Sequence, residues 1–245
     1  MNPSPVVLVT GGARRIGQAI VRHLHAAGCT TAIHYRHSAD EADALARELN
    51  GTRAGSAATF AAALENDEAL SALVSGVLNT FGRLDGLVNN ASSFYPTPVG
   101  TATAAQWDDL FATNARAPFF LAQAAAPALK ASRGAIVNIV DIYAERPLAQ
   151  HPIYSMAKAA LGMLTQALAR DLAPEVRVNA VAPGAILWPE SGKPEEAADA
   201  LILKTPLARK GDPADVAEAV RWLLLDARYT TGQIIRVDGG RILGI

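Results

Sequence analysis

Tyr154 and Lys158 stand four residues apart in Tyr154-Ser155-Met156-Ala157-Lys158, and where a helix already includes Tyr154 that spacing puts both side chains on one face. An ammonium beside a phenol favours the phenolate and lowers the phenol's pKa, which suits Tyr154 to proton transfer near neutral pH. Thirteen residues earlier stands Asp141, at the end of an apolar run. A second constellation lies near the start. Thr10-Gly11-Gly12-Ala13-Arg14-Arg15-Ile16-Gly17 follows the apolar run Val6–Val9 and leads into a helical pattern. Glycines there let the backbone turn tightly and approach a pyrophosphate, whose charge suits a helix N-terminus.

The next apolar run ends in His34-Tyr35-Arg36-His37-Ser38. A site for NAD usually has Asp or Glu at that end, to hold the ribose 2′-hydroxyl. Here Arg36 and His37 stand instead, with Arg14 and Arg15 near, and cations suit the 2′-phosphate of NADPH. Asp40 and Glu41 read as the first turn of a helix, through a capping box from Ser38 to Glu41. The residue pattern therefore favours NADPH.

The elements that must position these residues alternate along the chain. Strands are expected at Val6–Val9, Cys29–His34, Ala57–Ala62, Leu84–Asn89, Ala135–Val140, Val176–Val181 and Ile234–Val237. Helices are expected between them. One follows Ser38 and stops at Gly51, one covers Asn66–Phe81, and one opens at the capping box Thr103–Gln106 and runs toward Lys130. Another covers Ser155–Ala173, and the last starts at Asp212-Pro213 and ends at Leu225. Such alternation implies one doubly wound α/β domain of the Rossmann type spanning residues 1–245, its seven-stranded sheet mainly parallel with helices on both faces. Pro183–Pro206 is the longest irregular stretch and reads as a substrate loop.

Composition narrows the function classes. Half of the 245 residues are hydrophobic, enough for one substantial core, and a formal net charge of −1 gives no reason to expect nucleic acid or an anionic membrane as partner. Cys29 is the only cysteine, so no internal disulfide forms and a reducing compartment is expected. The start, Met1-Asn2-Pro3-Ser4-Pro5, lacks the pattern of a signal peptide, and a cytoplasmic enzyme is the expectation.

Taken together, the Thr10–Gly17 turn, Asn89-Asn90-Ala91, Asn114, Tyr154/Lys158, Pro183-Gly184 and Asp238-Gly239-Gly240 resemble the short-chain dehydrogenases/reductases, in order and spacing, over essentially the whole chain. The resemblance implies that Tyr154 is the acid/base, that Lys158 also binds nicotinamide ribose, and that Asn114 helps hold a relay water. It assigns coenzyme contacts to Gly11, Arg14, Arg15, Ile16, Gly17, Tyr35, Arg36, His37, Ser38, Leu64, Asn90, Ala91, Ser92, Tyr154, Lys158, Pro183 and Gly184. Many relatives have an Asp on adenine where Ala63 stands, so adenine would rely on backbone groups around Leu64. A homotetramer is the family's usual state.

Two departures point to one branch. Arg15 replaces a small residue, often Gly, and Asp141 replaces the usual Ser. With the segment from Asn89 to Pro98, these resemble the pteridine reductases. There the residue matching Phe94 stacks on the pterin, Ser92 matches a contact to coenzyme and substrate, and Arg15 matches a contact to coenzyme phosphate and pterin. Asp141 and Tyr154 complete the implied substrate site, with no metal. The implied reaction is NADPH-dependent reduction of a 7,8-dihydropterin to its tetrahydro form, extending to dihydrofolate. The alternatives are a carbonyl reductase acting on a ketone or oxoacyl thioester, and a catalytically silent NADPH-binding sensor.

Overall fold

A computed structural model describes residues 4–187 and 195–244. Seven strands form a single sheet in the order β3-β2-β1-β4-β5-β6-β7. They are β1 Val6–Val9, β2 Thr30–Tyr35, β3 Ala57–Ala61, β4 Gly86–Asn89, β5 Ala135–Ile139, β6 Arg177–Pro183 and β7 Ile234–Val237. All six pairings are parallel, so the sheet is wholly rather than mainly parallel.

Side chains alternate across the sheet with period two. Val7 and Val9 face a core layer shared with Ile20 and Leu24 of α1 (Arg15–Ala26) and with Val216, Val220 and Leu223 of α8 (Pro213–Leu225). Val6 and Leu8 face the opposite layer. It is filled by Leu70, Leu73 and Val77 of α3 (Asp67–Phe81) and by Leu121 and Leu129 of α5 (Ala117–Ser132). Both faces being covered, β1 is buried at every position.

The strand order reverses between β1 and β4, and the crevice beyond their C-terminal ends is where this architecture binds ligands. Register aligns the exits: Val9 pairs with Ile33 on one side and Val88 on the other, so Gly11, His34 and Asn90 emerge together.

Local signals met mixed fates. The Thr103–Gln106 capping box forms and opens α4 (Ala104–Phe111). Asp212 caps α8 in the same way, with Asp215 reciprocating. The box at Ser38 does not form: Ser38 makes no side-chain cap bond to α2 (Ala39–Thr52), and Glu41 lies 3.6 Å from the Arg14 guanidinium. Nor does Gly51 stop α2, which continues to Thr52. The helix expected from Thr103 toward Lys130 runs on to Ser132 through a wide turn at Ala112–Arg116, where the Ala117 N–H reaches back five residues to the Ala112 carbonyl. The stretch expected to be irregular carries α7 (Glu195–Leu203), while residues 188–194 of that proposed substrate loop lie outside the described residues. Among the described residues no helix is long and apolar enough to cross a membrane, and no cluster of acids, histidines or cysteines is arranged to hold a metal.

Candidate active site

The glycine turn is clamped by neighbours. Thr10 Oγ accepts the N–H groups of Asn90 and Ala91, at 2.9 and 3.0 Å. The Asn90 side-chain amide donates back to the carbonyls of Thr10 and Gly11. Gly17 sits so close that an added Cβ would lie 2.0 Å from the Gly11 carbonyl oxygen, so no other residue fits. Arg15 is the surprise of this turn. Its φ is +55°, a left-handed conformation that costs a non-glycine residue about 1–2 kcal/mol. The family's usual small residue, often Gly, suits that backbone; Arg15 holds it at a cost, a pattern that marks functional sites.

A groove of about 590 Å³ opens beside this turn. Thirteen of the predicted coenzyme contacts line it: Gly11, Arg14, Arg15, Ile16, Gly17, Tyr35, Arg36, His37, Ser38, Leu64, Asn90, Ala91 and Ser92. Pro183 and Gly184 are not part of its wall; they end β6, where Gly184 donates to the Val237 carbonyl. Six wall residues lie outside the expected contacts: Ala13, Ser93, Thr113, Glu41, Glu65 and His34. Glu41, expected as a helix cap, pairs with Arg14, and Glu65, arriving after β3, meets Arg36 at 2.6 Å. Buried His34 lies beneath the turn. The end of β2 carries no Asp or Glu, and the groove's carboxylates come instead from α2 and from beyond β3.

Tyr154 and Lys158 belong to α6 (Pro152–Asp171), on the buried face that also carries Leu161, Thr165 and Leu168. A fully buried chain of side chains pins that helix to the sheet: Asn89 donates to Asn138 at 2.8 Å, and Asn138 donates to Thr165 at 2.9 Å. Asp141 leaves β5 and starts a short 3-10 turn, where one carboxylate oxygen accepts the Tyr143 N–H at 2.9 Å. The other accepts the Tyr154 hydroxyl at 2.8 Å. Lys158 Nζ donates to the Ile139 carbonyl at 2.8 Å and lies 5.8 Å from the centre of the Tyr154 ring.

These contacts reverse the expected acidity of Tyr154. Burial and the adjoining Asp141 charge push the phenol well above its ordinary value, and the hydrogen bond to Asp141 adds to the rise. Burial likewise raises the Asp141 carboxyl, against the hydrogen bonds from Tyr143 and Tyr154 and the nearby Lys158 charge. Lys158 is lowered to about 8 by burial, with Asp141 opposing. The arrangement holds a neutral phenol as a proton donor, a carboxylate of raised proton affinity behind it, and an ammonium lowered to about 8.

Asn114 is fully buried in the wide turn. Its amide donates to the Ser93 and Leu110 carbonyls, and its oxygen accepts the Ser92 hydroxyl at 2.6 Å. Ser92 thereby joins the coenzyme groove to the Asn114 turn. Phe94, half exposed, sets its ring edge-to-face with Tyr154 at 4.8 Å. His151 stacks on Phe94 at 4.8 Å and 12°. Asp141, Tyr154, Phe94 and Ser92 thus form one neighbourhood.

A wholly parallel sheet with a glycine turn at its switch point and a buried Tyr/Lys pair on α6 defines a dinucleotide-linked oxidoreductase. The chain belongs to the short-chain dehydrogenase/reductase family: residues 11–241 match the family model described as enoyl-(acyl carrier protein) reductase. It is 38% identical to pteridine reductase 1 of Leishmania tarentolae, over 97% of this chain and 96% of that protein. It is 34% identical to the 3-oxoacyl-(acyl-carrier-protein) reductase FabG of Staphylococcus aureus strain Mu50, over 98% and 99%, with the same figures for FabG of Staphylococcus epidermidis strain RP62A. Reductases of this type use NAD(P)H.

Proposed function

We propose that this chain is an NADPH-dependent pteridine reductase that converts a 7,8-dihydropterin to its tetrahydro form and extends to dihydrofolate. The observation that carries the reading is Asp141 hydrogen-bonded to Tyr154, with the Phe94 ring against the same phenol. A pterin is flat and aromatic, which suits stacking on Phe94, and its amino and ring N–H groups suit a carboxylate acceptor better than a hydroxyl.

The groove fits a dinucleotide: its volume is ample, Gly17 leaves room where a Cβ would not, and Arg14, Arg15 and Arg36 line it. When bound, NADPH supplies the hydride for the pterin C=N carbon. The chain's own residues handle the proton. Tyr154 Oη–H turns from Asp141 to the substrate nitrogen, and the phenolate regains a proton through Asp141 once that carboxylate, its proton affinity raised by burial, has taken one from water. Lys158 holds the nicotinamide ribose and keeps positive charge beside the pair. Arg15, constrained at the turn, reaches coenzyme phosphate and pterin, while Arg36 and Arg14 favour the 2′-phosphate. Ser92 contacts both ligands, and Pro183 and Gly184 border the nicotinamide. The acting unit is a homotetramer in the cytoplasm.

A second reading, reduction of a 3-oxoacyl thioester, draws on the FabG relatives and on the Tyr154/Lys158/Asn114 set common to both activities. Asp141 and Phe94 separate the two. The test is NADPH consumption with dihydrobiopterin, dihydrofolate and a 3-oxoacyl thioester. Turnover of the dihydropterin, lost in Asp141→Ser while NADPH still binds, is expected. Turnover of the thioester alone would overturn the pterin assignment.

A further inference from the structure

β2 reads Thr30-Thr31-Ala32-Ile33-His34-Tyr35, and in this sheet interior His34 is only 1% exposed. A neutral imidazole offers one donor and one acceptor. Nδ1 of His34 accepts the Gly11 N–H at 3.0 Å. Nε2 lies 3.1 Å from the Ala62 carbonyl, which can only accept, so the ring's single proton sits on Nε2. Both polar atoms are used and the tautomer is fixed by its partners. The backbone adds to the tie, since the His34 carbonyl accepts the Gly12 N–H at 2.9 Å and the Tyr35 carbonyl accepts the Ala62 N–H at 3.1 Å.

The ring therefore spans two segments. One is the glycine turn, where Gly11 adopts φ +60°. The other is the end of β3, two residues before Leu64 in the groove wall. We infer that His34 is a positioning residue for the coenzyme: its imidazole splints the glycine turn to the segment after β3 and sets the spacing between those two walls of the groove. The inference rests on the family's use of a nicotinamide dinucleotide and is independent of the choice of pterin.

Three variants divide the splint. His34→Asn places an amide oxygen near the Nδ1 position and keeps an acceptor for Gly11. His34→Gln reaches the Nε2 position and keeps a donor for Ala62. His34→Leu fills the space and removes both bonds. ADP, NADP+ and NADPH are titrated into coenzyme-free protein by calorimetry, alongside thermal melts and kcat at saturating coenzyme. Each lost bond is expected to weaken ADP and NADP+ binding about fivefold to tenfold, with Asn and Gln intermediate and Leu weakest. The kcat at saturation stays near wild type, because the splint touches no reacting atom. If His34→Leu fails to fold, the Asn and Gln variants decide. Wild-type ADP affinity in both of them, a loss confined to melting temperature, or a fall in kcat at saturating coenzyme would each overturn the inference.

Discussion

Around Gly11 the buried polar groups are neutral and paired, whereas around Tyr154 three ionisable groups are buried within reach of one another. Thr10, Asn90 and His34 hold the turn through hydrogen bonds between uncharged partners, and Gly17 holds it by having no side chain. Asp141, Tyr154 and Lys158 instead raise or lower one another's proton affinity in a low-dielectric pocket. The first region keeps a shape; the second keeps protons poised. Substitutions should therefore fall on binding in one region and on turnover in the other.

The largest effect expected is Tyr154→Phe, which keeps the ring but removes the proton donor. We expect kcat to fall about 10²–10⁴-fold while NADPH affinity stays near wild type, measured by single-turnover kinetics and fluorescence titration. Gly17→Ala is the matching break on the other side. Its Cβ must displace the Gly11 carbonyl, so coenzyme affinity should fall about a hundredfold with the Asp141–Tyr154 contact intact. If Gly17→Ala binds NADPH normally, the turn is not the rigid half of the site.

Titration sharpens the same contrast. Lys158, lowered to about 8, loses its positive charge as pH rises through that value, so turnover should decline on the alkaline side with an apparent pKa near 8. A flat rate from neutrality to pH 9 would remove Lys158's charge from the mechanism. His34 acts on stability instead. Burial lowers it to about 4 in the fold, against about 6.5 when unfolded. Below about 6.5 the unfolded chain takes up a proton that the folded chain refuses. Its contribution is thus present above that pH and lost as pH falls toward about 4, by at most about 3 kcal/mol. Melting temperatures of wild type and His34→Asn should converge as pH falls through that window, and parallel curves would contradict it.

The fold was largely legible in the sequence because its strands are short apolar runs between helices with strong caps. Val6–Val9 appears with the expected bounds, and the Thr103 and Asp212 caps form. What escaped was set by partners distant in sequence. Ser38 and Glu41 have the spacing of a capping box, yet Glu41 turns to Arg14. Asn114 was marked by the family resemblance, which says nothing of the wide turn that buries it. The Tyr154/Lys158 spacing located the pair correctly and misjudged the phenol, because Asp141 lies against its hydroxyl while Lys158 reaches a carbonyl. His34 looked like any residue of a buried strand, since its two partners come from other strands' ends.

The smallest effect tests where charge does matter on the coenzyme side. Arg36 meets Glu65 at 2.6 Å, with both side chains nearly half exposed. Exposed pairs of this kind contribute only about 0.2–1 kcal/mol, so the contact is easily exchanged for another anion. A 2′-phosphate entering beside Arg36 would displace Glu65 and meet its negative charge as well. Glu65→Gln removes both the competition and the repulsion while keeping the side chain's size. NADPH should bind up to about fivefold more tightly and NADH about as before, which widens the preference between them. Arg36→Ala should narrow that preference by weakening NADPH alone. The two variants together separate two roles for the carboxylate. If Glu65→Gln weakens NADPH, the carboxylate holds Arg36 in its binding pose and the coenzyme end relies on a placed charge, as the Tyr154 end does. If it tightens NADPH, the adenosine end of the groove is an exposed, exchangeable set of charges around a neutral rigid turn.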